Sequence, residues 1–189
     1  MDNKQLFLKK STKSLHEHPW RGSSEIIPSE IVKGRLWLGC ANCAKAAGNA
    51  DNSVGITHIL NVSDEVSVSP PTGETSSGVV TLMVPIDDNG KSEIFISSPD
   101  GIWSRCRNFL VDAHSDKKSR VLIACTMGVN RSATIVTAWL MDQRRWTRDE
   151  ALEFVRECRP QVEPVTNYLE QLHAFEEVLK TQKPLDDSG

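Results

Sequence analysis

Three short stretches, ITHILN (56–61), VVTLMVP (79–85) and VLIA (121–124), are aliphatic or β-branched almost throughout and do not alternate strictly between polar and apolar residues. A strand of that kind cannot leave one face in water. It needs cover on both sides, which is the environment of a parallel sheet. Arg35 to Leu38 forms a fourth such run, and turn residues bound all four. Helical patterns fill the intervals. Ile102, Trp103, Cys106, Phe109, Leu110 and Ala113 share one helical face, with Ser98 and Pro99 placed as N-cap and first helical residue. Ser132 to Met141 is apolar nearly all round, as in a buried helix. Thr147 and Glu150 are spaced as a capping box ahead of Ala151, Leu152 and Val155, and Val165, Tyr168, Leu169, Leu172, Phe175 and Leu179 make a last apolar stripe. The expected fold is α/β, a central, mostly parallel sheet of four to five strands flanked by helices.

The 189 residues suit one domain with an extension at either end. Residues 1–27 are polar and read as a flexible N-terminal extension, 28–181 as the folded domain and 182–189 as a C-terminal tail. His16 and His18 lack the further Cys or His spacing that would complete a metal site. The loop from Glu65 to Gly78, rich in Ser, Pro, Thr and Gly, reads as a surface connector. The net charge of −3 argues against nucleic acid or an anionic membrane as partner. No apolar run approaches the length of a membrane span, and the N-terminus lacks the apolar core of a signal peptide. The five cysteines form no disulfide framework, so the expected setting is reducing: cytoplasmic, with the nucleus as a second compartment. Cys40 and Cys43 form a lone C-x2-C with no second pair, and they read as two buried thiols near a helix start.

The chemistry concentrates in CTMGVNR, residues 125–131, between the last apolar strand and the buried helix. A loop there can curl with its backbone N–H groups inward, and with the helix N-terminus it forms a cradle for an anion. Gly128 allows a backbone angle that a side chain hinders. Cys125 lies at the floor, where the positive field favours the thiolate. Arg131 can hold two phosphate oxygens with its planar fork. A thiolate beneath a clamped phosphorus is placed for in-line attack.

This stretch resembles the C-x5-R signature loop of the protein tyrosine phosphatase superfamily, and most closely its dual-specificity phosphatases. CTMGVNRSATIVTAWLM is similar to that family's catalytic loop and following helix. IVKGRLWLG, GITHILNV, VPIDDNGKSEI and the Arg159–Pro160 pair with Pro164 resemble further family segments in the right order, over about residues 28 to 180. The resemblance implies a protein tyrosine phosphatase-like fold and a hydrolase that uses neither metal nor cofactor. It implies that Cys125 is the nucleophile, that Arg131 clamps the phosphate, and that Ser132 stabilises the leaving thiolate. Thr126, Met127, Gly128, Val129 and Asn130 supply the rest of the phosphate cradle. Asp88 matches the general acid; Asp87 is the neighbouring alternative, and the family pattern of Asp followed by Asn favours Asp88. The implied substrate is a phosphoprotein carrying phosphotyrosine or phosphoserine/phosphothreonine, a protein kinase being one candidate, and the implied state is a monomer or weak dimer.

Two departures qualify this. Ala124 stands where the family usually has His before the nucleophile, which predicts slower turnover and raises an alternative reading, a pseudophosphatase that binds phosphoproteins. Asn130 precedes the Arg as in RNA 5′-phosphatases of the superfamily, although Ser-Ala follows here instead of Thr-Gly. The uncharged loop, without Lys, argues against a multiply phosphorylated lipid head group.

Overall fold

A computed structural model describes residues 26–49, 51–64, 73–74 and 77–182. Six strands form one sheet: β1 (Ser29–Val32), β2 (Leu36–Gly39), β3 (His58–Ser63), β4 (Gly73–Glu74), β5 (Val80–Ile86) and β6 (Val121–Ala124). Their order is β1-β2-β6-β3-β5-β4. The four central strands, β2, β6, β3 and β5, run parallel as expected, and β1 and β4 add short antiparallel edges. Five helices are described: α1 (Ala41–Ala47), α2 (Ile102–Ser115), α3 (Arg131–Arg144), α4 (Arg148–Cys158) and α5 (Thr166–Thr181).

The apolar strands lack alternation because both faces are covered. On β6, Val121 and Ile123 join the large core that includes residues of α2 to α5. Leu122 and Ala124 join a second cluster with Trp37, Cys40, Cys43 and Ala44 under α1. Helix α3 is buried from Arg131 to Asp142, as its all-round apolar pattern requires. Helix α4 opens on the expected capping box, Thr147 with Glu150.

Element ends shift by a few residues from the sequence reading, and two of the shifts have a visible cause. Ile56 is not in a strand, because the Asn52 side chain takes both its N–H and its carbonyl at 2.7 Å. β3 therefore begins at His58. Ser98 and Pro99 do not start α2; the carbonyl of Ser98 accepts from Gly101 N–H at 3.0 Å, a turn with Pro99 in its second position. The helix begins three residues after Pro99, at Ile102, with Gly101 as N-cap. The extension to residue 25 with His16 and His18, most of the 65–78 loop and residues 183–189 lie outside the described residues.

Parallel strands end on the same edge of a sheet. The residues just past β2, β3, β5 and β6 are Cys40, Asp64, Asp87 with Asp88, and Cys125. β6 sits between β2 and β3, with Ala124 opposite Gly39 on one side and Asn61 on the other. Cys125 thus emerges mid-sheet at the carboxyl edge, the usual ligand edge of open α/β sheets.

Candidate active site

The loop after β6, residues 125–130, is shaped from outside. The carbonyl of Thr126 accepts from Ala41 N–H at 3.2 Å and that of Val129 from Glu163 N–H at 2.9 Å. The carbonyls of Met127 and Gly128 accept from Arg159 Nη2 at 3.3 Å and Nε at 2.7 Å. In a trans peptide the next N–H points opposite to the carbonyl. Four carbonyls tied outward therefore turn the N–H groups of Met127, Gly128, Val129 and Asn130 inward, as an anion cradle needs. Gly128 N–H reaches Cys125 Sγ at 3.3 Å. Gly128 has φ +68°, and an added Cβ would lie 2.6 Å from the carbonyl oxygen of Gly39. Arg159, which the sequence marked only as part of a pair, is 1% exposed and also bonds Ser29 Oγ at 3.1 Å.

Cys125 is 1% exposed, and Ser132 Oγ lies 3.1 Å from its sulfur. Its near polar neighbours are thus a backbone N–H, which donates, and a hydroxyl at the start of α3. Ala124 offers no donor. Its side chain is fully buried on the opposite face, in the α1 cluster.

Arg131 is 1% exposed and held on both edges. Nη1 donates to Asp64 Oδ1 at 2.5 Å and to the Ile86 carbonyl at 3.2 Å. Nη2 donates to Thr126 Oγ1 at 2.8 Å, and Nε lies 2.9 Å from Asp88 Oδ1, a charge contact too oblique for a directed hydrogen bond. The Nε/Nη2 edge, the one beside the loop, is the edge a phosphate would take bidentately. The Nη1 contacts with Asp64 and Ile86 orient that edge. Asp64 was not anticipated from the sequence; only the parallel ending of β3 and β6 brings it to the guanidinium.

The two acids after β5 differ in surroundings. The Asp87 carboxylate is used locally: it accepts from Asn89 N–H at 3.0 Å, Lys91 N–H at 2.9 Å and Ser92 Oγ at 2.6 Å. Slight burial pushes this carboxyl up, but the hydrogen bonds from Ser92, Lys91 and Asn89 outweigh it and hold it below the usual range. Tyr168 Oη donates to the Asp87 carbonyl at 2.5 Å, and burial pushes that phenol up to about 12, so it stays a donor. Asp88 projects beside Arg131 with its side chain 59% exposed. Among the loop side chains, Thr126 meets Arg131, Met127 is 41% exposed at the rim, and Asn130 turns toward Asp88. Cys40 and Cys43 are buried thiols, not joined in a disulfide, with their sulfurs 3.5 Å apart. Among the described residues no group of three His, Cys, Asp or Glu could hold a metal, and no helix is long and apolar enough to cross a membrane.

Residues 36–178 match the model of the dual specificity phosphatase catalytic domain. The chain belongs to the dual specificity phosphatase family. It is 33% identical over 153 residues to the Drosophila melanogaster dual specificity protein phosphatase Mpk3, covering 81% of this chain and 35% of that protein. It is 33% identical over 165 residues to human dual specificity protein phosphatase 4, covering 87% and 37%. The chain thus spans little more than a third of these relatives. The crystal structure of human DUSP28 superposes with a TM-score of 0.62 at 25% identity, covering 81% of this chain and 95% of that one. The fold is that of this family.

Proposed function

We propose that the domain is a cysteine-dependent phosphatase that hydrolyses phosphotyrosine and phosphoserine/phosphothreonine in proteins. The observation that carries this is Cys125 Sγ lying within 3.3 Å of Gly128 N–H and 3.1 Å of Ser132 Oγ, in the same loop whose Thr126 meets Arg131. The Cys125 thiolate attacks phosphorus, the S–P bond forms, and the bond to the leaving oxygen breaks as Asp88 protonates that oxygen. Asp88, now ionised, takes a proton from water. The water oxygen bonds to phosphorus and the S–P bond breaks, while the Ser132 hydroxyl donates to the departing sulfur. Arg131 and the inward N–H groups hold the equatorial oxygens through both steps. Met127, Gly128, Val129 and Asn130 contribute through backbone N–H groups, and Thr126 through its hydroxyl, which accepts from Arg131 Nη2. No metal or cofactor takes part in this scheme. The substrate is a phosphoprotein, a protein kinase being one candidate.

A second reading rests on Ala124, whose buried methyl gives the sulfur no donor: a domain that binds phosphoproteins and turns them over weakly. Aryl phosphate hydrolysis separates the two. Enzymatic action requires turnover that vanishes in Cys125→Ser and a phosphorylated Cys125 that accumulates in Ser132→Ala. Phosphopeptide binding by the natural protein, with turnover no greater than that of Cys125→Ser, would establish the binding module instead.

A further inference from the structure

Asn130 is the N-cap of α3, yet its side chain makes no capping bond to that helix. Asn is a strong N-cap residue because its side chain satisfies the first N–H groups of its own helix. Here it is spent elsewhere, which keeps those N–H groups available to an anion. Asn130 Oδ1 accepts from Val165 N–H at 3.0 Å, just before α5. A backbone N–H can only donate, so this contact fixes which end of the amide is oxygen. Nδ2 must then face the acid loop, and it donates to the Asp88 carbonyl at 3.0 Å and to Asp88 Oδ1 at 3.1 Å. One 9% exposed side chain thereby joins three segments: the catalytic loop, the acid loop and the entry to α5.

We propose that the Asn130 side chain is the positioning residue for Asp88, and that it is not a phosphate ligand. This rests on the reading of Asp88 as general acid. The Asn130 amide donates to Oδ1 at 3.1 Å, and the positive Arg131 guanidinium lies 2.9 Å from the same oxygen. That leaves Oδ2 to carry the proton, and it fixes the carboxyl plane relative to the clamp. The bond to the Asp88 carbonyl holds the backbone, so the carboxyl cannot swing out with its loop. Loss of Asn130 therefore removes aim from the acid and leaves the nucleophile and clamp in place.

The consequence is a dependence on leaving group. A strongly acidic phenol departs without help, whereas a weakly acidic one needs the proton. The experiment measures kcat and KM for a series of aryl phosphates spanning such phenols, in the natural protein, Asp88→Asn, Asn130→Ala and Asn130→Asp. Inorganic phosphate inhibition and melting temperature are measured alongside. Asn130→Asp is isosteric and keeps an acceptor for Val165, so its leaving-group series carries the test should the Ala variant unfold; its added charge repels phosphate, so inhibition is compared in Asn130→Ala alone. General acid catalysis is worth roughly 10²- to 10⁴-fold. Loss of aim should therefore cost the poorest leaving group at least about tenfold more in kcat/KM, which reports formation of the phosphocysteine, than the best, with phosphate inhibition little changed. An equal loss across the series, or a loss matched by weaker phosphate inhibition, overturns the role of Asn130. A flat kcat/KM series in Asp88→Asn overturns the acid assignment itself, so the two failures are distinct.

Discussion

Replacing Gly128 by Ala tests whether the catalytic loop is held by shape as well as by hydrogen bonds. Two costs arise. The first is backbone: φ +68° is disfavoured for an L side chain by roughly 1–2 kcal/mol. The second is steric. The new Cβ would lie 2.6 Å from the oxygen and 2.7 Å from the carbon of the Gly39 carbonyl, and 2.9 Å from Arg159 Nη2. The first two atoms are backbone at the end of a central strand and cannot swing aside, and overpacking of this kind costs about 1–3 kcal/mol. The sum, about 2–5 kcal/mol, lowers the melting temperature of a domain of this size by roughly 4–20 °C. Gly34 is the control. It has φ +67° with nothing within 4 Å of an added Cβ, so Gly34→Ala carries the backbone cost alone. Denaturant unfolding of both variants, followed by tryptophan fluorescence, gives the difference directly. Relief of the clash shifts the loop, and a misplacement of about 1 Å costs on the order of 100-fold in turnover. Equal destabilisation by the two variants, or full activity in Gly128→Ala, would refute the close packing of the loop against β2.

Asp64→Asn should lower kcat/KM by at most about fivefold, because a half-exposed ion pair is worth about 0–1 kcal/mol; steady-state kinetics in low and high salt check this. Tyr168→Phe removes the bond to the Asp87 carbonyl and should cost about 1–3 kcal/mol of stability, read by chemical denaturation. The hydrogen bonds that lower the Asp87 carboxyl favour its ionised form in the fold. Its stabilisation is therefore complete above about pH 4 and fades as pH falls through its lower folded value. The stability gap between the natural protein and Asp87→Ala should accordingly narrow on acidification below about pH 4. Ala124→His restores the residue usual in the family, but Ala124 is fully buried in the α1 cluster. An imidazole there overpacks it by about 1–3 kcal/mol, so a fall in melting temperature should accompany any gain in rate.

What was legible in the sequence was local. Cys125, Gly128, Arg131 and Ser132 lie within eight residues, so their spacing alone encodes the loop. The capping box and the apolar stripe of α5 were legible for the same reason. Strand ends moved by a residue or two where a side chain intercepted the backbone, as Asn52 does at Ile56. The edge strand β1 was not called because SEIV has too few apolar residues to announce a strand. Asp64 and the hold of Arg159 on the loop depend on tertiary neighbours, β3 beside β6 and α4 beside β1, which no periodicity records. Asn130 was visible only as an unusual residue; its partners, Asp88 and Val165, are 42 and 35 positions away.

The tie from Arg159 to Ser29 spans 130 positions. Arg159 also pins two carbonyls of the catalytic loop, so this loop cannot acquire its form while the chain is still short. A nascent chain ending at residue 150 already holds Cys125, Arg131 and both acids, yet it lacks the groups that turn the Met127, Gly128 and Val129 carbonyls outward. The loop can thus take this form only once residues 159–163 have been made and the end of α4 has met β1. Fragments released by premature termination would carry the signature loop without its reactivity.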